Sequence, residues 1–221
     1  MNERIRPAHD AGTWGEAIDE AVNVVTRGRL LVLPTDTVYG IGADAFTPPA
    51  VQALLDAKGR GRQMPPPVLV PELRTLDGLA RDVPDAARAL AEAFWPGGLT
   101  LVVLAQPSLA WDLGETHGTV ALRVPDHPTA LALLRRTGPL AVSSANRTGS
   151  PAAFTAAEAY DQLGDSVDLY LDGGTAPGQV ASSIVDATGE RLRLVRAGAI
   201  DLERLREVAE VDDAQPPGGR P

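Results

Sequence analysis

The amino-acid sequence predicts an α/β fold: a single domain built on a twisted sheet of mixed strand direction and flanked by helices. Two observations predict it. Segments with helical and with strand periodicity alternate in the first half of the chain, and several later strands follow one another without an intervening helix. No repeat, linker or change in composition interrupts residues 12–210. We therefore expect one domain there, preceded by an N-terminal extension at residues 1–11 and followed by a disordered, Pro- and Gly-rich tail at residues 211–221.

The first predicted helix begins at a capping box of Thr13 and Glu16, in which each side chain satisfies a free backbone amide. Apolar residues after this box recur at helical spacing, and Gly28 ends the pattern. Residues 30–33 form a short apolar run, which is typical of a buried strand. The chain thus opens with a helix followed by a strand of the central sheet.

The remaining elements follow from the same signals. The second helix starts after Thr47, where Pro occupies the first helical position, and stops at Gly59. Later helices are predicted at residues 84–94, 128–136, 155–163 (capped by Thr155) and 200–208. Further strands are predicted at residues 68–70, 99–104, 119–124, 139–143, 168–171, 183–186 and 192–195.

Composition and charge exclude several classes of function. The 221 residues carry a net charge of −9, which argues against a broad electrostatic grip on nucleic acid. The absence of cysteine excludes a disulfide framework, a thiolate metal site and a cysteine nucleophile, and the three histidines match no metal motif. The sequence has no apolar stretch long enough to cross a membrane and no apolar core of an export signal at its start, so we expect a cytoplasmic protein.

Two polar motifs lie in the first third of the chain. The segment from Pro34 to Gly42, PTDTVYGIG, places hydroxyls, a carboxylate and a phenol at the end of a buried strand, where α/β folds favour ligand sites. Lys58, Arg60 and Arg62 alternate with glycines at a helix end and could face a polyphosphate. Taken alone, the first motif also fits a polar turn, and the second also fits complementation of the helix dipole.

Two further motifs lie later in the chain. Residues 141–146, AVSSAN, end a predicted strand, where small hydroxyl side chains and Asn146 would let a ligand approach the backbone. Ser182 precedes another strand, Arg196 begins an Arg-Ala-Gly segment, and Arg123 ends a strand between them. Each also fits an ordinary polar residue at a strand end or a surface ion pair.

The order and spacing of these motifs resemble the YrdC-like family, which includes the threonylcarbamoyl-AMP synthases. The resemblance covers residues 15–200. It rests on PTDTVYG after a strand, then Lys-x-Arg, SSAN after a later strand, and Arg-x-Gly-Ala-Ile. The segments WPGGLT at residues 95–100 and LRVP at residues 122–125 are similar to the family as well. The resemblance implies a single YrdC-like domain of the short type, with a concave ligand pocket.

The resemblance also implies a reaction. The enzyme would form threonylcarbamoyl-AMP and pyrophosphate from L-threonine, bicarbonate or CO2, and ATP. The threonine amine would capture CO2 as a carbamate, whose oxygen attacks the α-phosphate. Mg2+ is expected with ATP, held mainly by phosphates and water, and the resemblance names no protein ligand for it. The adenylate would pass to partner proteins that modify tRNA, with only weak contact of this chain to tRNA and none to a membrane.

By the same resemblance, two sets of residues would form the site. The threonine-binding residues would be Thr37, Arg123, Ser143 and Ser182. The ATP-binding residues would be Lys58, Arg60, Thr119, Ser144, Asn146 and Arg196, with Lys58 and Arg60 assigned a catalytic role. Cations and hydroxyls suit this chemistry, because transfer at phosphorus depends on positioning and charge stabilisation, and the carbamate itself is the nucleophile.

The sequence departs from the family pattern after its Lys-x-Arg motif. Gly61 stands where many relatives have Pro, Met64 occupies the position before the next Pro, and Ala197 follows the late arginine where Pro is usual. Arg62 is therefore a candidate replacement for a phosphate contact from this segment. Residues 59–67 form a candidate lid over the site.

Three alternative functions remain open at this point. The chain could be a double-stranded RNA-binding module without catalysis, although its net charge of −9 disfavours tight RNA binding. It could be a carbamoyl adenylate synthase of the hydrogenase-maturation type, but those enzymes carry zinc-finger segments and this chain has no cysteine. It could also be a non-catalytic homologue, against which the retained Thr37, Lys58, Arg60, Ser144 and Asn146 argue.

Overall fold

The computed structural model describes residues 3–9, 12 and 14–213. Its helices are α1 (Gly15–Thr26), α2 (Pro48–Lys58), α3 (Thr75–Leu79), α4 (Asp85–Phe94), α5 (Pro128–Thr137), α6 (Ala156–Leu163) and α7 (Leu202–Arg206), with a 3-10 turn at Gly164–Ser166. Its strands are β1 (Ile5–Pro7), β2 (Leu31–Leu33), β3 (Gly40–Asp44), β4 (Val68–Leu69), β5 (Ala80–Arg81), β6 (Leu99–Ala105), β7 (Thr119–Arg123), β8 (Leu140–Ser144), β9 (Leu169–Asp172), β10 (Ser183–Asp186), β11 (Leu192–Arg196) and β12 (Val211–Asp213). Within this described part, none of the helices combines the length and apolar character needed to cross a bilayer.

The strands of the described residues form one sheet in the order β1-β9-β2-β3-β8-β4-β7-β6-β10-β11-β12, with β5 beside one end of β6. Strand pairs such as β3 with β8 and β6 with β7 are antiparallel, whereas β4 with β7 and β6 with β10 are parallel. The predicted α/β fold, a mixed sheet flanked by helices, is confirmed.

Helices of the described residues cover both faces of the sheet around β2 but only one face around β6 and β7. In β2, Leu31 and Leu33 pack in a cluster with α1 and α5, whereas Val32 packs with α2 and α6 on the opposite face. In β6 and β7, Leu101 and Leu122 are register partners and pack in a cluster with α3, α4 and α7. The alternate residues of β6 and β7 point away from that cluster. This second face is the one that lines the cavity described below.

Strand β3 is absent from the predicted elements, because its sequence, GIGAD, carries two glycines, which have a low strand propensity. The structure shows why glycine is needed. A Cβ atom on Gly40 would lie 2.5 Å from Cγ1 of Val142 in the neighbouring strand β8. PTDTVYGIG is therefore a loop that continues into a strand, not only a ligand-binding turn. The other unpredicted elements, β1, α3, β5 and β12, have two to five residues, too few for a periodic pattern.

The domain extends further at both ends than the sequence predicts. β1 lies within the predicted extension at residues 1–11 and pairs in parallel with β9. β12 lies within the predicted tail at residues 211–221 and pairs in parallel with β11. The expected disorder of residues 211–213 is therefore wrong, because Val211 is buried in the cluster that contains α7. The rest of the predicted tail, residues 214–221, lies outside the described residues.

The helix caps can be compared with prediction at two places. Thr155 caps α6 as predicted, since its hydroxyl accepts a hydrogen bond from the backbone amide of Glu158 at 3.1 Å. Thr13 of the predicted capping box at α1 lies outside the described residues. The helix predicted at residues 200–208 is shorter, because the carboxylate of Asp201 accepts a first-turn amide at 2.8 Å and starts α7 after it.

Replacing Gly40 with alanine is expected to lower the free energy of unfolding by roughly 1–3 kcal/mol, because overpacking forces neighbouring atoms to move. The matched control is Gly15→Ala. A Cβ atom on Gly15 would have no neighbour within 4 Å, and Gly15 lies in the first turn of α1, where alanine favours the helix. Urea unfolding of both variants measures the difference. A Gly40→Ala protein as stable as wild type would contradict the predicted clash with Val142.

Candidate active site

A cavity of about 400 Å³ opens on the sheet face that α3, α4 and α7 leave uncovered. Its walls come from the loop before β3, the segment after α2, and strands β6, β7, β8, β10 and β11. The predicted site residues that line it are Thr37, Arg60, Thr119, Arg123, Ser143, Ser144, Ser182 and Arg196. Motifs that are distant in the sequence therefore converge in one site.

The cavity lies across strand faces as well as at strand ends, which the sequence analysis did not expect. Thr100 and Val102 of β6 line it, as do Thr119, Ala121 and Arg123 of β7. Residues two apart on a strand share a face, so these side chains form a continuous floor. The cavity lies where none of the helices of residues 14–213 covers this face of the sheet.

Arg123 is almost fully buried at the end of β7, and three of its nitrogens donate to protein oxygens. Nε donates to the carbonyl of Gly97 at 2.9 Å, Nη1 to Oγ1 of Thr37 at 2.9 Å, and Nη2 to Oδ1 of Asp36 at 2.5 Å. The same Asp36 oxygen accepts the backbone amide of Asp126 at 3.0 Å. Burial lowers the pKa of Arg123, while the charge of Asp36 opposes that shift. Asp36 thus orients the guanidinium and compensates its buried charge.

Arg60 and Arg196 lack such a counter-charge. Nη1 of Arg60 donates to Oγ of Ser143 at 2.8 Å, while its buried Nε has no hydrogen-bond partner among the described residues. Nε and Nη2 of Arg196 donate to the carbonyl of Ser182 at 3.0 and 2.7 Å. Burial lowers the pKa of both arginines, and the positive charge of Arg196 lowers that of Arg60 further. Both charged side chains would therefore be stabilised by an anion in the cavity.

The cavity is cationic although the whole chain carries a net charge of −9. Three arginines line it, and no aspartate or glutamate does so within residues 14–213, the part of the chain that surrounds it. Asp36, behind the wall, compensates one of the three charges. Guanidinium groups bind phosphates and carboxylates through paired donors. The site is therefore suited to ligands that carry more than one negative charge.

Lys58 and Asn146, both predicted to contact ATP, lie behind the cavity wall instead of lining it. Nζ of Lys58 donates to the carbonyls of Ser144 at 2.5 Å and Asn146 at 2.6 Å, with a longer contact of 3.4 Å to Oδ1 of Asn146. Nδ2 of Asn146 donates to the carbonyls of Arg147 and Ser150. An ammonium group has three N–H donors, so these contacts use all of them. Both residues thus support the turn after β8.

The ionisation of Lys58 can be observed directly, because it is the sole lysine of the sequence. Burial, followed by the positive charge of Arg60, lowers the pKa of Lys58 to about 8. We therefore expect the Cε resonance of the one lysine, observed in 13C-lysine-labelled protein, to titrate near that value. A midpoint at the ordinary value for lysine, about 10.4, would contradict the burial of this ammonium group.

The lowered pKa of Lys58 also sets the sign of a pH effect on stability. The folded protein loses this proton before the unfolded chain does, so the unfolded chain binds more protons between the two pKa values. The contribution of Lys58 to the free energy of unfolding therefore rises with pH above about 8. Comparing urea unfolding of wild type and Lys58→Met at pH 7.5 and 9.5 isolates this contribution from those of other groups.

Hydrogen-bond partners determine what the cavity hydroxyls can offer to a ligand. Oγ1 of Thr119 donates to the carbonyl of Thr116 at 2.7 Å, so only its lone pairs remain available. Oγ of Ser143 accepts from Arg60 and so keeps its own proton for a ligand oxygen. The hydroxyls of Thr100 and Ser182 lie 2.9 Å apart and share one hydrogen bond.

Arg62, the candidate replacement for a phosphate contact, lies outside the cavity lining. Its Nη2 pairs with Oδ1 of Asp112 at 2.6 Å, and both side chains are exposed. Its carbonyl accepts the backbone amide of Glu115 at 2.9 Å, which ties this segment to the loop before β7. Residues 65–67 of the segment line the cavity with three prolines. Closure of residues 59–67 over the site stays a prediction.

Several residues of the site were not singled out from the sequence. Thr35 and Tyr39 line the cavity beside Thr37, and Asp36 lies behind Arg123. All three belong to PTDTVYG, so the motif as a whole was the signal that could have identified them. Thr100 lines the cavity too, and its only signal is its place at the end of WPGGLT.

The described residues offer no protein cage for a metal ion, since their acidic and histidine side chains form no cluster of three or more around a common point. A magnesium ion that entered with a nucleotide would be held by phosphate oxygens and water, a common mode of magnesium binding.

Known proteins share both the sequence and the fold. The family model for Sua5, YciO and YrdC proteins, described as telomere recombination, matches residues 23–198. A Mycobacterium tuberculosis protein, whose name provisionally assigns it threonylcarbamoyl-AMP synthase activity, is 56% identical over 197 residues, which cover 89% of this chain and 91% of that protein. The threonylcarbamoyl-AMP synthase of Bacillus subtilis is 36% identical over 194 residues, which cover 86% of this chain and 56% of that protein.

A solved structure agrees with these sequence matches. Pyrococcus abyssi Sua5 in complex with L-threonine superposes with a TM-score of 0.88 at 31% identity, covering 95% of this chain and 62% of that one. The chain thus spans most of the mycobacterial relative but little more than half of the other two. A family match over most of its length, together with relatives above 30% identity, shows that this chain belongs to the Sua5/YciO/YrdC family.

Proposed function

We propose that this chain is a threonylcarbamoyl-AMP synthase, a nucleotidyltransferase that joins L-threonine, bicarbonate or CO2, and ATP and releases pyrophosphate. The observation that carries the proposal is the convergence of three arginines and several hydroxyls in one cavity, to which residues 14–213 contribute no carboxylate. The names of the relatives support the same activity. The threonine complex of Pyrococcus abyssi Sua5 supports an amino-acid substrate.

The threonine would lie beside Thr37 and Arg123. Arg123 uses three of its five N–H donors within the protein, which leaves two for the two oxygens of a carboxylate. Ser143 and Ser182 also line the cavity and would complete the proposed threonine subsite. A hydroxyl that pairs with the side-chain hydroxyl of threonine would reject valine, because valine would leave a buried polar group unpaired.

ATP would lie towards Arg60 and Arg196, with Thr119 and Ser144 as further contacts. In the proposed reaction, the carbamate oxygen forms a bond to the α-phosphorus while the bond from that phosphorus to pyrophosphate breaks. Negative charge on the phosphate oxygens is stabilised by guanidinium groups already held in place. The unpaired Nε of Arg60 would gain an acceptor in this arrangement. Lys58 and Asn146 hold the adjoining turn from behind.

Magnesium and the later partners complete the proposal. The metal would arrive with ATP and neutralise part of the triphosphate charge. The adenylate would pass in the cytoplasm to partner proteins that modify tRNA. Double-stranded RNA binding gains no support from the site, because its three arginines line a cavity instead of an exposed strip that could follow a phosphate backbone.

Pyrophosphate release tests the proposed function. The purified chain is mixed with ATP, Mg2+, bicarbonate and L-threonine, and pyrophosphate is measured over time. We expect release to require both bicarbonate and threonine and to be much slower with valine or serine in place of threonine. Pyrophosphate release that is independent of the amino acid, or RNA binding with no nucleotide turnover, would contradict the proposal.

A further inference from the structure

Thr35 is a buried residue whose hydroxyl has a complete set of hydrogen-bond partners inside the protein. Its Oγ1 donates to the carbonyl of Val38 at 2.7 Å, which uses its only proton. The same oxygen accepts the backbone amide of Thr37 at 3.2 Å and lies 3.1 Å from Oγ1 of Thr37. Because the proton of Thr35 is already used, Thr37 must be the donor between the two hydroxyls.

The hydroxyl of Thr37 is therefore polarised in one direction. It donates its proton to Thr35, and one of its two lone pairs accepts Nη1 of Arg123 at 2.9 Å. The second lone pair has no partner among the described residues, and Thr37 lines the cavity. The Thr37 hydroxyl can thus accept a hydrogen bond from a ligand but has no proton to donate to one.

We propose that Thr35 is a positioning residue, which fixes Oγ1 of Thr37 as an acceptor for an N–H donor on the amino-acid substrate. This inference rests on the proposed function. The carboxylate and amine of an α-amino acid are attached to the same carbon, so a carboxylate on Arg123 brings the amine beside Thr37. The donor is the N–H of threonine or of its carbamate.

Thr35→Val tests this role with little change in shape, because valine keeps the branched side chain and lacks only the hydroxyl. Thr37 would then lose its acceptor, and its hydroxyl could rotate to direct a proton instead of a lone pair at the ligand. The matched control is Thr129→Val. Thr129 is also buried, its hydroxyl donates to the carbonyl of Ala8 at 2.7 Å, and neither residue lines the cavity.

Two ligands separate recognition of the amine from general damage. Calorimetry measures the Kd of each variant for L-threonine and for (R)-3-hydroxybutanoate, which is threonine without its amine. In Thr35→Val we expect a Kd for threonine about tenfold higher, as for the loss of one buried hydrogen bond, and an unchanged Kd for 3-hydroxybutanoate. Thr35→Ser should restore threonine binding, and Thr129→Val should bind both ligands as wild type does. Thr35→Cys, with a weak donor, should lie between, and it replaces Thr35→Val if that variant does not fold.

The possible results distinguish failure of this inference from failure of the proposed function. An unchanged Kd for threonine in Thr35→Val, or equal weakening of both ligands, would overturn the positioning role while leaving the synthase activity of wild type intact. Wild-type protein that neither binds threonine nor releases pyrophosphate would overturn both. Weakened threonine binding in Thr129→Val would show that loss of any buried hydroxyl has this effect, and would also overturn the inference.

Discussion

Replacing Arg60 with alanine is expected to slow pyrophosphate formation by about 100- to 1,000-fold, the typical cost of removing one preorganised donor to developing charge. Arg60 is one of two cavity arginines without a carboxylate partner, and its Nε is buried and unpaired. Both features indicate a group whose partner is the anionic substrate. Threonine binding should change little, because Arg123 is held by the carbonyl of Gly97 and the carboxylate of Asp36 and does not depend on Arg60.

The same substitution should leave the free energy of unfolding unchanged within about 1 kcal/mol, or raise it. Arg60→Ala removes one hydrogen bond from the charged guanidinium to Ser143, which is worth about 1.5–3 kcal/mol, but two unfavourable features are removed with it and offset this loss. It also removes a buried, unpaired donor and the repulsion from Arg196. A large loss of activity without a loss of stability is typical of residues that are placed for ligand binding at some cost to the fold.

Arg62→Ala is the matched control for Arg60→Ala, since both arginines lie in the segment after α2. Arg62 forms an exposed ion pair with Asp112, which contributes only about 0–1 kcal/mol. We expect its removal to leave turnover nearly unchanged. Equal effects of the two substitutions on pyrophosphate formation, or an active Arg60→Ala enzyme, would contradict the role given to Arg60.

The sequence predicted which residues of the site come together better than it predicted what each contacts. PTDTVYG, Lys-x-Arg, SSAN and the late Arg-x-Gly-Ala segment carried the family resemblance, and residues from every one of these motifs are found at the cavity or directly behind its wall. The sheet floor under them was not predicted. Its residues, such as Thr100 and Ala121, lie on strands whose opposite face is apolar, and periodicity alone does not tell whether a helix covers the other face.

The sequence does not predict which cationic side chains line the cavity and which lie behind its wall. A lysine two residues before an arginine looks like part of one cationic patch, because both charges end the same helix. In the structure, the side chain of Arg60 enters the cavity while that of Lys58 turns towards the end of β8. Which of the two meets solvent depends on where β8 passes the helix end, and that is a long-range property of the sheet.

Lys58→Met is therefore expected to lower the free energy of unfolding by roughly 2–4 kcal/mol. It leaves the carbonyls of Ser144 and Asn146 without their donor, at about 1–3 kcal/mol each. Removal of the buried ammonium, whose pKa is lowered by burial, offsets part of that cost. Methionine keeps the length and apolar volume of the side chain. Since Ser144 belongs to the cavity wall, pyrophosphate formation should fall as well. Urea unfolding and initial rates, measured on the same preparations, give both quantities.

The substitution Lys58→Arg distinguishes two possible roles of Lys58: support of the turn after β8, or a direct contact with phosphate. A guanidinium keeps the positive charge and binds phosphate well, so a phosphate contact would survive this substitution in large part. The acceptors of Lys58, in contrast, converge on one nitrogen, and a planar fork on a longer side chain does not fit them. We expect Lys58→Arg to be nearly as unstable and as slow as Lys58→Met. An arginine variant with wild-type stability and turnover would show that the charge of Lys58, and not its three-acceptor contact, is what the enzyme needs.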